Sequence, residues 1–472
     1  MMKKVIIINA LLLTLGVIAF SGTADAASLL EIYQQALQSD PRIHEAEARR
    51  LAALEAKPQA RGVLLPQLSF AGAYTRSSAS GTTVVPPLTT PFTNDSESEG
   101  TTWRFTLRQS LFRWDQIVNL KRADKTVAKA EALRESAQQD LIVRVAARYF
   151  NVLAAEDLLT SVHADRQAIA RQLEQARQRF DVGLIAITDV QESQAAYDQS
   201  TADEIGAKRS LATARNLLRE ITGQYVAELS APDDDFPLLT PNPNNEADWV
   251  ELSLSQNLAL VASRLDEKLA RDEISYRRNG YYPSIDLVAT RSEQDTEDTN
   301  IINGGMPSTS DVNFTGDSIG IQFSIPIFAG GTNTSRVKEA IYLHRASREV
   351  LQRITRETER QARDSYLGVL SEISRVRALD QAVASSRTAL EATQAGYEVG
   401  TRTIVEVLNS QFSLYAAITN YYRSRYNYIL NALLLKQASG TLQIQDLEKI
   451  DQFLKERATP EQIIAEEEAS KS

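Results

Sequence analysis

The chain has no cysteine. That excludes disulfides, thiolate metal ligands and a cysteine-borne lipid anchor. Histidine is nearly as scarce: His44, His163 and His344 all fall on segments that read as helix, and none has ligand spacing. Each reads as a helix-surface residue. No nucleophile motif or phosphate-binding loop stands in for them, so the reading is not an enzyme, with no cofactor and no metal. Positive charge is in deficit as well. The formal net charge of -10 argues against a nucleic-acid partner. Long apolar runs are missing beyond the N-terminus, where no later stretch approaches the ~20 residues of a membrane helix. The one run is Val5–Phe20, preceded by Lys3 and Lys4 and followed by Ala24-Asp25-Ala26. It reads as a signal peptide over 1–26, because it is short for a membrane anchor and a small-x-small cleavage site follows. An exported chain without a spanning helix is either soluble in the periplasm or crosses a membrane as a β-barrel.

What the chain does have is a repeat. Phe180-Asp181-Val182-Gly183-Leu184-Ile185-Ala186-Ile187-Thr188-Asp189-Val190 returns as Tyr397-Glu398-Val399-Gly400-Thr401-Arg402-Thr403-Ile404-Val405-Glu406-Val407, an offset of 217 residues. At the same offset Pro66 meets Pro283, Tyr149 meets Tyr366, Gln194 meets Gln411 and Gly223 meets Gly440. A fixed register over half a chain predicts two copies of one structural unit. The expected division is a first repeat over 27–230, a linker over 231–246, a second repeat over 247–440 and a C-terminal segment over 441–472. The linker is marked by Ala231-Pro232 and Pro241-Asn242-Pro243. The tail ends on Glu466-Glu467-Glu468 and Lys471 and reads as disordered.

Within each copy the hydrophobic period changes. Ser28–Ser39 and Pro41–Gly62 read as helices. Strands are then expected at about 66–76 and 102–112, and again at about 284–291 and 318–327. Trp103, Phe105 and Leu107 alternate with Arg104, Thr106 and Arg108; Ile319, Ile321, Phe323 and Ile325 alternate with Ser318, Gly320, Gln322 and Ser324. Polar stretches, Ser77–Gly100 and Ser292–Asp317, read as long exposed loops. Such pairs fit an outer-membrane barrel, and they fit a soluble sheet with one wet face equally. The helices tip the balance. Long helices are expected over 115–182 and 332–399, with return helices over 188–222 and 403–438. About 68 helical residues extend roughly 100 Å, far more than a globular domain needs. Each copy therefore reads as one long helix beside two shorter ones in series, packed as in a coiled coil. Four membrane strands cannot close, because an open edge in lipid leaves backbone groups unpaired. Two chains would supply eight strands and a filled interior; three would supply twelve and a lumen.

These pieces resemble the TolC family of outer-membrane efflux proteins (outer membrane factors). The resemblance spans nearly the whole chain after residue 26. It is carried by Leu64-Leu65-Pro66-Gln67-Leu68, by the two repeated motifs from Arg179 to Gln191 and from Tyr397 to Thr403, and by Arg425-Tyr426-Asn427-Tyr428 through Gly440-Thr441-Leu442. It implies an α+β membrane protein: a shared trimeric 12-stranded outer-membrane β-barrel continuous with a 12-helix periplasmic α-barrel, in a Gram-negative bacterium. It implies a passive exit duct for tripartite efflux and type I secretion. Its partners would be two further copies in a homotrimer, outer-membrane lipid, a periplasmic adaptor protein and an inner-membrane pump, either an efflux transporter or an ABC exporter.

The resemblance also assigns residues. Thr188, Asp189, Tyr397 and Arg402 form the gate, with Tyr397 and Arg402 bonding to Asp189 and Arg402 also to Thr188. An Arg fork suits a carboxylate with a hydroxyl beside it. From the residues alone, Asp189 also fits a simple helix-start cap. Glu406 and Asn409 fall on the selectivity constriction, where the family carries two acids. This chain departs from that pattern, with one acid longer and the other neutral, and weaker cation selectivity is expected. A ring of like charges would raise its own pKa values. Glu406 alone reads as a solvated helix charge. Val182, Gly183, Leu184, Val399, Gly400 and Thr401 are the implied adaptor-docking residues, although the glycines also serve a tight turn. A periplasmic adaptor or structural coiled-coil protein is the alternative. It explains the export signal and the long helices but not two apolar-faced strand pairs.

Overall fold

The computed structural model describes residues 26–84, 91–226, 228–233, 236–302, 305–456 and 460. The signal-peptide reading and the acidic tail lie outside the described residues, apart from Ala26. The described residues form two compact units. One is built from Glu47–Arg134 and Ala259–Thr355, the other from residues up to Ala46, Glu135–Leu258 and from Arg356 on.

The first of these units holds the sheet. Helices α1 (Leu29–Ser39), α2 (Pro41–Leu54) and α3 (Ala56–Gly62) lead to strands β1 (Gln67–Thr83) and β2 (Phe92–Phe112). Helix α4 (Trp114–Asp181) follows β2 and is 68 residues long. In the second repeat, β4 (Ser284–Ile302) and β5 (Ser308–Ser324) form the matching hairpin. The four strands pair antiparallel in the order β1-β2-β4-β5. Phe70 faces Phe105 and Leu287 faces Ile321 across their ladders. One face of the sheet near the strand–helix joints is therefore apolar and bare, with Leu68 70%, Phe70 62%, Ile319 77% and Ile321 68% exposed. Exposed aliphatic and aromatic side chains in a row mark a face meant for an apolar medium. At the base of the sheet, the buried Asp286 accepts from Arg108 Nη2 at 2.7 Å and from Arg113 Nη2 at 2.9 Å, tying the end of β2 to the start of β4.

The hairpins run farther than the side-chain pattern implies. Stretches expected as loops, Ser77–Gly100 and Ser292–Asp317, are mostly strand, and the ladder extends to Thr83–Phe92 and Asn300–Ser308. Ladder bonds belong to the backbone and persist where Ser, Thr and Gly replace the alternating apolar residues.

The other unit holds the core. It comprises α1, much of α4, α5 (Ile187–Thr222), β3 (Ala231–Pro232), α6 (Glu246–Gln256), most of α8 (Thr332–Glu398), α9 (Ile404–Ala438), α10 (Ile444–Asp451) and β6 (Leu454–Lys455). Helix α7 (Leu258–Arg277) belongs almost wholly to the sheet unit. Leu29, Ile32 and Tyr33 of α1 pack with Leu141, Val145, Tyr149 and Leu153 of α4 and Ile429 and Leu433 of α9, all essentially inaccessible. The repeat-related tyrosines play matching parts: Tyr149 donates to the Ser230 carbonyl at 2.5 Å, and Tyr366 to Asn244 Oδ1 at 3.0 Å. Each pins one end of the expected linker. That linker is part of the packed unit, because β3 pairs with β6.

His163 is not a helix-surface residue. It is 4% exposed, with Nδ1 3.3 Å from Glu204 Oε1 and Nε2 2.7 Å from Gln167 Nε2. Burial raises the Glu204 carboxyl, but hydrogen bonds from Lys208 and His163 and the charges of Arg166 and Lys208 outweigh that and leave it lowered. His344 is paired with Glu267 at 2.7 Å, and His44 is exposed beside the Gln38 carbonyl.

Candidate gate and docking tips

The two turns that end α4 and α8 are built alike. Gly183 has φ 74° and Gly400 has φ 77°, conformations that glycine adopts without strain. Gly183 N–H donates to the Phe180 carbonyl at 2.8 Å and Leu184 N–H to Arg179 at 2.9 Å. In the second copy, Gly400 donates to Tyr397 at 3.1 Å and Thr401 to Gly396 at 2.8 Å. A left-handed residue thus satisfies the last carbonyls of both helices. The side chains beside each glycine project outward: Val182 is 70%, Leu184 73% and Val399 75% exposed.

The helices that leave the turns start differently. Helix α9 begins with a complete capping box. Thr403 Oγ1 accepts from Glu406 N at 3.4 Å, and Glu406 Oε2 accepts from Thr403 N at 2.7 Å. The equivalent of Thr403 in the first copy is Ala186, which has no side-chain cap. The equivalent of Glu406 is Asp189. Its one side-chain bond among the described residues comes from the Thr188 hydroxyl at 3.4 Å.

The sequence-expected gate residues are only partly brought together within one chain. Thr188 and Asp189 are adjacent. Arg402 is held by Glu406, with Nη1 2.5 Å from Oε1. Tyr397 lies under the Arg179 guanidinium, 5.1 Å from ring centroid to Cζ. Among the described residues, no bond joins Tyr397 or Arg402 to Asp189 or Thr188. Glu406 is half-exposed and Asn409 exposed, on the first turns of α9. The backbone N–H of Thr403, then the Arg402 guanidinium, hold the Glu406 carboxyl below its ordinary value. Within one chain that direction is opposite to the one a ring of like charges would impose.

Two participants were absent from the expected site. Thr403 was legible: Thr403-Ile404-Val405-Glu406 is a capping-box pattern. Arg179 carries no such signal, because its contact with Tyr397 joins residues far apart in sequence. Farther up the helices, Gln411 Nε2 donates to Asp165 Oδ1 at 2.8 Å, linking α9 to α4. Burial pushes the Asp165 carboxyl up, against that hydrogen bond.

Among the described residues the four-stranded sheet has an unpaired strand edge on each side and an apolar face, in a chain whose two longest helices end in twin glycine turns; these features fit one subunit's share of a membrane channel. A family model described as outer membrane efflux protein matches residues 32–224 and 249–441. The chain is 37% identical over 449 residues to outer membrane protein TolC of Escherichia coli K12, covering 94% of this chain and 88% of that one. It is 26% identical over 429 residues to the alkaline protease secretion protein AprF of Pseudomonas aeruginosa, covering 90% and 87%. Among solved structures, the outer membrane protein VceC of Vibrio cholerae superposes with a TM-score of 0.69 at 20% identity, covering 87% of this chain and 96% of that one. The chain belongs to the outer membrane efflux protein family. It is an outer-membrane channel protein with two structural repeats, in a family of outer-membrane channels.

Proposed function

We propose that three copies close one 12-stranded barrel and that the assembly is a passive exit duct for efflux and type I secretion, opened at its α4–α5 and α8–α9 tips. The observation that carries this reading is the sheet. Its outward face is apolar, yet β1 and β5 each lack a neighbour among the described residues. In hydrocarbon every unpaired backbone group costs several kcal/mol, so the edges must meet other edges. Three copies leave a lumen where two would fill it.

Periplasmic adaptor and inner-membrane pump are the partners. Adaptor docking falls on Val182, Gly183, Leu184, Val399, Gly400 and Thr401, whose bare apolar side chains flank rigid turns. In the closed state Arg402 turns from Glu406 to Asp189 and Thr188, and Tyr397 joins it. Docking returns Arg402 to Glu406. Each exposed link contributes up to about 1 kcal/mol, which adaptor binding can overcome. Glu406 and Asn409 line the narrowest point. Detergent-extracted protein in planar bilayers tests the reading: trimer-sized particles with small closed-state conductance support it, and monomers without channel activity contradict it.

A further inference from the structure

The repeat fixes more than the number of strands. It fixes how two copies meet. Two alignments come from the sequence: Pro66 lies on Pro283 at an offset of 217, and Leu111-Phe112 lies on Ile327-Phe328 at an offset of 216. They carry β1 onto β4 and β2 onto β5. Applied to the first hairpin, they turn the Phe70–Phe105 pair into Leu287–Ile321 and the Leu68–Leu107 pair into Ile285–Phe323. Those are the pairs found in the second hairpin. The two hairpins therefore share one register, residue for residue.

The same mapping acts on the seam between the hairpins. There β2 pairs with β4, with Phe105 opposite Arg291, Thr106 opposite Thr290 and Leu107 opposite Ala289. Carried forward, β2 becomes β5 and β4 becomes β1 of the next copy. We infer that β5 pairs antiparallel with β1 of a second copy of this chain, with Ile321 opposite the partner's Tyr74, Gln322 opposite the partner's Ala73 and Phe323 opposite the partner's Gly72. This register rests on the shared-barrel reading and adds to it which residues meet.

Two features of the free edges support it. Side chains alternate with period two, so a slip of one residue would turn every apolar residue of one strand against the polar face of the other. In the inferred register Ile321 and Phe323 share the outward face with Tyr74 and Phe70, all strongly exposed in the single chain. Gln322, Ser324, Ala71 and Ala73 share the inward face. Phe323 also falls opposite a glycine, and an aromatic ring covering a cross-strand glycine is a recurrent way to pin register. A slip of two residues keeps the faces, and it is the alternative to be tested.

The absence of cysteine makes the test clean, since every thiol is an introduced one. A two-residue slip moves a partner by roughly 6.7 Å along the strand, so facing Cα atoms end about 8 Å apart. That is beyond the ~7 Å limit for a disulfide. Full-length variants carrying Gln322→Cys with Ala73→Cys, and Ile321→Cys with Tyr74→Cys, sample both faces. Slipped controls combine Gln322→Cys with Ala71→Cys or Thr75→Cys, and Ile321→Cys with Gly72→Cys or Arg76→Cys. Outer membranes are treated with a mild oxidant and run on non-reducing gels, and the particle mass is measured in detergent. The expected result is intersubunit bonding in at least one in-register pair, roughly tenfold above its slipped controls. Stronger bonding in a slipped pair, or trimers with no bonding in any pair, overturns the register while leaving the shared barrel standing. Monomers with no bonding in any pair overturn both.

Discussion

The two tips descend from one pattern and now do different things. Their turns share a backbone: the same glycine conformation, the equivalent carbonyls satisfied, and an exposed valine before each glycine. Their helix starts are not. In the second copy Thr403 and Glu406 satisfy each other, and Glu406 also holds Arg402. In the first copy Ala186 offers no hydroxyl, and among the described residues the carboxylate of Asp189 has a single long bond. The two starts differ at the cap, Ala186 against Thr403, and at the carboxylate three positions on, Asp189 against Glu406, and the reciprocal capping bonds form only in the second. The repeat built two matching turns, and the caps make them differ: Glu406 is engaged at the start of its own helix, and Asp189 is the acceptor that the proposed gate assigns to Arg402.

The largest expected effect comes from removing that acceptor. Asp189→Asn weakens three sets of links, from Arg402 and Tyr397, at once in a trimer. At about 1 kcal/mol each this shifts the closed–open balance by about 3 kcal/mol, roughly a hundredfold, read as raised single-channel conductance. The repeat-equivalent change, Glu406→Gln, frees Arg402 from its own helix and leaves the channel closed. Equal opening by both would break the comparison.

Next come the turns, where the copies should agree. Gly183→Ala and Gly400→Ala each force a side chain into the left-handed region at a cost of about 1–2 kcal/mol. Amide exchange at the two tips should accelerate by similar factors. Smaller, but more telling, is Ala186→Thr. It gives the first copy the missing cap, worth up to about 1 kcal/mol to α5. It also recruits Asp189 as Thr403 recruits Glu406. Slower exchange in the first turn of α5 together with a looser gate is the expected outcome; a tighter gate would contradict the account.

The smallest effects concern the constriction. Asn409→Asp should strengthen cation preference and block by multivalent cations, measured as a shift in reversal potential. The pH dependence follows from Glu406. Its carboxyl is held below the ordinary 4.5. A depressed value means that the charge and its clamp on Arg402 persist above that range and are lost only as the pH falls through the lowered value. In the open state, with Arg402 on Glu406, cation preference should therefore stay flat from neutral pH to about 4.5.

Much of this molecule was legible because periodicity and duplication are sequence properties. The long helices, expected over 115–182 and 332–399, run Trp114–Asp181 and Thr332–Glu398. The turn at Gly400 and the apolar faces of β2 and β5 were legible for the same reason. The upper hairpins were not, since Ser77–Thr83 pairs through backbone groups that no side chain announces. Nor was the burial of His163, which depends on Glu204 arriving from another helix. At the gate, the residue types were readable, but the choice of partner was not. Arg402 is bonded to Glu406, four positions on in the first turn of α9, where the resemblance assigns it to Asp189.

A double-mutant cycle between Asp189 and Arg402 tests the central claim most directly. Single-channel conductance is measured for Asp189→Ala, Arg402→Ala and the pair. If Asp189 is the acceptor that the first copy leaves available, either single change opens the channel and the second adds little. Additive effects would mean that the two residues act independently, and the asymmetry between the tips would then not be the latch.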